Sequence, residues 1–180
     1  MIILGVDPGT ICTGFGIIKY ERNEVVHLAG GTILLPAVKE LSPRLEVIYN
    51  NLDSIIKKYQ PDEFAIETAF YGKNVQSALK IGYARGVSLL AAIHNGVPAV
   101  EYAPREIKKA VVGKGSASKQ QVQFMIKAIL NLPDTKMKLD ESDALAVAIC
   151  HSLKINSLSS GNSKNWKSFI EANPERVISF

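Results

Sequence analysis

Four acids stand where acids are costly. Asp7 closes the apolar run Ile2-Ile3-Leu4-Gly5-Val6 and precedes the turn pair Pro8-Gly9. Glu67 closes Phe64-Ala65-Ile66 in the same way. Asp140 and Asp143 stand three apart, just ahead of Ala144-Leu145-Ala146-Val147-Ala148. Carboxylates are rarely buried unless they are paired or bound to a cation. Singly, each has an ordinary structural reading: a helix N-cap or salt bridge for Asp7 and Glu67, and the helix macrodipole for acids at a helix start. The macrodipole accounts well for Glu141 and less well for Asp143, which borders the apolar run. The i, i+3 spacing puts Asp140 and Asp143 on one helix face, and α/β sheets gather their sites where strand ends converge. Four convergent carboxylates repel one another unless a cation sits among them. No Cys or His stands at ligand spacing near them, so the oxygen-only set favours Mg²⁺ or Mn²⁺ over zinc. Two such ions, about 4 Å apart, activate a water and stabilise the leaving oxygen of a phosphodiester.

Charge points to the same substrate. The segment from Gly72 to Lys127 carries nine basic residues against only Glu101 and Glu106, within a chain whose net charge is +4. A basic middle with acidic flanks fits a polyanion-facing surface beside a carboxylate cluster, while an ordinary solvated face of lysines stays open from charge alone. Lys119 falls in the first turn of an expected helix, where macrodipole and ammonium both attract phosphate. Phe70 lies in the loop after the Glu67 strand, beside Tyr71 and Gly72. An exposed aromatic there can stack on an unpaired base, or can pack beneath its own loop.

Positioning these residues requires a sheet. Ile2 to Asp7 reads as a buried strand, and Thr13–Tyr20 and Glu24–Leu35 complete an antiparallel meander turned at Arg22-Asn23. Ser42-Pro43 reads as an N-cap and first helical position, opening a helix with Leu45, Ile48, Leu52, Ile55, Ile56 and Tyr59 on its apolar face and Pro61 at its end. A strand at Glu63–Glu67, a helix from about Val75 to Asn95 and a strand at Ala99–Tyr102 follow. Pro104 opens a short helix carrying Lys108 and Lys109. Ser118-Lys119-Gln120-Gln121 forms a capping box for the next helix, through Leu130, and Leu139 to about Ile155 is the last. The pattern predicts an α/β domain over 1–155, a mixed five-stranded sheet with helices on both faces. Residues 156–180 form a tail without an assigned role, expected to be mobile over Ser157–Lys164, with Trp166, Phe169 and Ile170 available for a docked turn.

Composition narrows the class further. Apolar residues make up 47% of the 180 and charged residues 21%, enough for one core and too balanced for disorder. The longest stretch free of Asp, Glu, Lys and Arg, Gly86 to Val100, contains His94, Asn95 and Pro98 and is too short and polar to span a membrane. The start MIILGVDPGT lacks the basic segment and long apolar run of a secretory signal. Cys12 and Cys150 sit in apolar contexts without CxxC spacing, so buried thiols in a reducing cytoplasm are expected.

The order of these motifs resembles the RuvC family of Holliday-junction resolvases. The resemblance runs through Gly5-Val6-Asp7-Pro8-Gly9-Thr10 and Thr13-Gly14-Phe15-Gly16, Ile66-Glu67 with Phe70 and Lys73-Asn74, Ser77-Ala78-Leu79-Lys80 and Ala84-Arg85-Gly86. It continues through Val111 to Ala117 and closes on Asp140-Glu141-Ser142-Asp143-Ala144-Leu145-Ala146. It implies a ribonuclease-H-like fold and a homodimer that nicks two opposed strands of four-way junction DNA, working with the RuvAB branch-migration machinery. By the same resemblance Asp7, Glu67, Asp140 and Asp143 are catalytic and hold two Mg²⁺ ions, with Mn²⁺ a substitute. Some family members carry histidine at the position of Asp140. Lys108, Lys119, Phe70, Lys73 and Arg85 become the DNA-binding set. Ala78, Gly82 and Gly86, four apart, become the close-approach stripe of a dimer helix, although the same stripe could pack on the chain's own sheet. A ribonuclease-H-like nuclease acting on RNA and an actin-like ATPase open with similar motifs. The basic block and the Phe70 loop weigh against the first, and the shortness of the chain against the second. A junction-binding scaffold without catalysis would not need the complete acid set.

Overall fold

The computed structural model describes residues 1–68, 75–133 and 137–159. Phe70, Lys73, residues 160–164 of the stretch expected to be mobile, and the expectations for Trp166, Phe169 and Ile170 lie outside the described residues. The elements in chain order are β1 (Ile2–Asp7), β2 (Cys12–Glu21), β3 (Glu24–Leu34), α1 (Ser42–Tyr59), β4 (Glu63–Glu67), α2 (Val75–His94), β5 (Ala99–Tyr102), α3 (Pro104–Val112), α4 (Lys119–Ile129) and α5 (Leu139–Ser159). They make one mixed sheet of order β3-β2-β1-β4-β5. The meander β1-β2-β3 is antiparallel, whereas β4 and β5 join β1 in parallel. Arg22 and Asn23 both take positive φ, 52° and 68°, the twist-matched geometry of a two-residue hairpin turn.

Alternation along the strands sorts the core into two layers. Leu4, Val6, Phe64 and Ile66 pack beneath α1 and α2, while Ile3 and Ala65 pack beneath α3, α4 and α5. Successive side chains of a strand point to opposite faces. Asp7 and Glu67, each one residue beyond the α1–α2 layer's last member, therefore belong to the α5 face. The register pairs Val6 with Ile66, so the two acids end adjacent parallel strands.

Helix α5 lies directly on the sheet. Ala144 through Cys150 are all buried, as expected of a helix apolar on every side. Glycines on β1 and β2 permit this approach. A Cβ on Gly5 would collide with the Ala144 carbonyl and with Ala148, and one on Gly14 would collide with the Asp140 carbonyl. The close contact brings the first turn of α5, with its acids, against the ends of β1 and β2.

Two helix ends differ from expectation. The N-cap of α1 is Leu41, with no side-chain cap bond, and Ser42-Pro43 already lie in the first turn, where proline's missing N–H costs nothing. Helix α5 runs to Ser159, past the expected end at Ile155 and through 157–159, the start of the stretch expected to be mobile, because no proline or glycine interrupts it there. The capping box of α4 is formed: Gln121 N donates to Ser118 Oγ at 3.2 Å, and Ser118 N donates to Gln121 Oε1 at 2.8 Å.

Candidate active site

A cleft of about 130 Å³ opens where β1 and β4 end against α3, α4 and α5. Asp7 comes from β1, Glu67 from β4, Lys108 from α3, Lys119 from α4 and Asp143 from α5. Ile107, Val122 and Ala146 give it an apolar floor. Five elements thus bring three carboxylates and two ammonium groups, drawn from positions 7 to 143, into one concavity.

The carboxylates are under electrostatic pressure. Burial, then the charges of Asp143 and Asp140, push the Asp7 carboxyl up to about 6, against the opposing pull of Lys119. Burial and the charges of Asp7 and Asp143 push Glu67 up to about 8, with Lys119 and Lys108 working the other way. Burial works against the Lys119 ammonium, but its hydrogen bond to Asp143 Oδ2 and the surrounding acids outweigh that, and its pKa is raised. Neighbouring carboxyls whose affinity for protons is raised by burial and by the acids around them are a site that gains from a cation.

Asp140 occupies a different place from its three companions. It does not line the cleft. Its carboxylate Oδ2 accepts a hydrogen bond from the thiol of Cys12, 3.0 Å away. Among the described residues no three His, Cys, Asp or Glu side chains are gathered tightly enough to hold an ion as they stand. The Lys119 ammonium takes up one of the Asp143 oxygens. The donor set is nonetheless carboxylate oxygen on an apolar floor, which suits a hard divalent cation.

Other sequence-derived residues fall as follows. Arg85 pairs with Glu101 of β5 and stands outside the cleft, because β5 presents the exposed glutamate beside that turn of α2. Ala78 is half-buried, while Gly82 and Gly86 are exposed with no described atom within 4 Å of a Cβ built on them. The buried face of α2 is instead Ala84, Ser88, Ala91 and Ala92, so the glycine stripe faces away from the chain's own sheet. Cys12, expected to be buried, is half-buried, and both cysteines are free thiols.

The motif reading missed two residues. Cys12 stands in no CxxC spacing, yet strand alternation from Gly14, which pairs with Asp7, puts it on the site face. Arg44 on α1 donates to the carbonyls of Thr10 and Val38 and so ties down the loop that follows Asp7. An arginine in a helix's first turns carries no sequence signal for that task.

The fold and the site together define a ribonuclease-H-like nuclease. Residues 3–151 match the sequence model of the family described as crossover junction endodeoxyribonuclease RuvC. The chain is 51% identical to the crossover junction endodeoxyribonuclease RuvC of Citrifermentans bemidjiense, over 88% of this chain and 97% of that one. It is 43% identical to the protein of that name from Chloroherpeton thalassium, over 99% of this chain and all of the other. Among solved structures it resembles Thermus thermophilus RuvC in complex with Holliday junction substrate, with a TM-score of 0.81 and 28% identity, over 88% of this chain and 97% of that one. The chain belongs to the RuvC family of crossover junction endodeoxyribonucleases, and its function is resolution of Holliday junctions in DNA recombination and repair.

Proposed function

We propose that this endonuclease resolves four-way DNA junctions by hydrolysing one phosphodiester in each of two opposed strands, in a homodimer, with two divalent ions per site held by Asp7, Glu67, Asp140 and Asp143. The observation that carries the reading is the convergence of Asp7, Glu67 and Asp143 with Lys108 and Lys119 in one cleft, with the Asp140 backbone pinned beside it. When bound, Mg²⁺, or Mn²⁺ in its place, supplies an activated water and neutralises charge on the leaving oxygen. The chain's own part is to bring acids and lysines around one phosphate. Asp7 and Glu67 come from rigid strand ends, and Lys119 exchanges Asp143 for phosphate when DNA arrives. Lys108, on the α3 wall, meets the same phosphate from the other side. Lys73 and Arg85 extend the basic surface along the junction arms, Arg85 after release from Glu101, and Phe70 stacks at the junction centre.

The dimer reading is supported by α2. Leu79, Tyr83 and Ile93 are 56%, 53% and 64% exposed on the helix that also bears Gly82 and Gly86. A stripe of this kind fits a second helix of the same type, and symmetric substrates call for a two-fold enzyme. The family relationship supports coupling to the RuvAB branch-migration machinery and a cytoplasmic setting. Among the described residues no helix is long and apolar enough to cross a membrane.

Asp7→Asn tests the chemistry. It is expected to abolish cleavage of a labelled synthetic four-way junction in Mg²⁺ while junction affinity stays within about 3-fold, because affinity comes mainly from phosphate contacts. Near-normal cutting by the variant would remove the metal assignment.

A further inference from the structure

We infer that Cys12 is the positioning residue of Asp140, holding that carboxylate in the orientation in which it serves a bound cation; this rests on the proposed metal site. Two observations converge on the pair. The Cys12 Sγ lies 3.0 Å from Asp140 Oδ2, within the reach of a thiol donating to a carboxylate. Independently, the backbone of α5 at Asp140 is pressed against β2 so closely that Gly14 has no room for a Cβ beside the Asp140 carbonyl. The main chain of Asp140 is thereby pinned, and its side-chain rotamer is what remains to be set.

Cys12 is placed to set it. Asp7 pairs with Gly14 across β1 and β2, and Cys12, two residues earlier on the strand, projects from the same face. Among the described residues no other side chain shares a hydrogen bond with the Asp140 carboxylate. A thiol is a weak donor with a single hydrogen. It engages Oδ2 and leaves Oδ1 for a cation. Asp140 is the one acid of the four outside the cleft lining, yet as Cys12 holds it its charge still reaches Asp7, and a carboxylate free to rotate away would be lost to the ligand set. Partners that orient metal ligands affect metal affinity before anything else.

The test compares wild type with Cys12→Ala and Cys12→Ser. Mn²⁺ binding to the DNA-free protein is followed by the paramagnetic resonance of free Mn²⁺, and junction cleavage is titrated with Mn²⁺. Removing the donor is expected to weaken Mn²⁺ binding about 10-fold, the lower end for outer-shell partners, and to raise the half-saturating Mn²⁺ for cleavage in proportion. The serine hydroxyl, which also donates, is expected to keep both within about 2-fold of wild type. Thermal melts of the metal-free proteins establish that each variant is folded, and Cys12→Val serves as a second non-donor if the alanine variant is not. Wild-type Mn²⁺ affinity in the alanine or valine variant overturns the inference. So does a serine variant as weak as alanine, which would make the effect one of packing. Absence of Mn²⁺ binding by the wild type itself would instead overturn the metal-site reading on which the inference stands.

Discussion

Glu67 is held in a setting that favours its protonated form, at about 8 against an ordinary 4.5, and Asp7 follows at about 6 against 3.8. The sign of the consequence is fixed by linkage. Between the unfolded and folded values the native state binds more protons than the unfolded chain, so stability is present at low pH and is lost as pH rises through each window. The metal-free protein is expected to melt at a lower temperature at pH 8 than at pH 5.5. Glu67→Gln should flatten that decline and raise Tm at pH 8 by about 2–4 °C for each kcal/mol recovered. Scanning calorimetry of both proteins across that range in chelator checks it, and a pH-independent Tm difference would mean that the glutamate is not under charge stress. The lysines are tested by salt. Lys119→Ala is expected to lower the cleavage rate by about 10²-fold, as loss of one clamp on a transferring phosphoryl group does. The Lys108→Ala, Lys119→Ala double variant should reduce the slope of log affinity against log salt by about 1 for each lysine. An unchanged rate and slope would put both lysines on a face that DNA does not touch.

At the scale of elements, α2 has two unlike faces. Its buried side, Ala84, Ser88, Ala91 and Ala92, seats it on the domain, and its open side carries Gly82 and Gly86 among exposed apolar residues. The open side makes Gly82→Leu a clean probe. A Cβ at Gly82 meets no described atom, and replacing a mid-helix glycine favours the helix by about 0.5–1 kcal/mol. The monomer should therefore be no less stable, while sedimentation equilibrium should report a dimer weakened by about 10-fold or more, since a leucine on a close-approach stripe overpacks it. A dimer of unchanged strength would place the interface on another face.

For the whole molecule the relevant quantity is symmetry. Resolution needs two like strands cut in one encounter, and an isologous dimer supplies two sites related by a two-fold axis. The same Gly82→Leu protein should convert a supercoiled cruciform plasmid mainly to nicked circles, whereas wild type yields linear product. Linear product from a wild-type monomer in a single binding event would remove the need for the dimer.

The acids, the fold class and the element order were legible in the chain because they rest on local rules. An acid after an apolar run, a proline before a helix and a serine three residues ahead of a glutamine each carry their own physics. Val6 and Ile66 alternate with Asp7 and Glu67, and that alone assigns the acids a face. What the residues could not express was which partners meet across more than a hundred positions. The place of Asp140 at the edge of the cleft and its bond to Cys12 follow from the depth at which Gly5 and Gly14 let α5 settle on the sheet. The capture of Arg85 by Glu101 and the outward turn of Gly82 depend on the rotation of α2 over β4 and β5. Settling depth and helix rotation are set by the summed packing of two core layers, which no single motif encodes, so the sequence determined which chemistry was available and the tertiary structure decided which atoms touch.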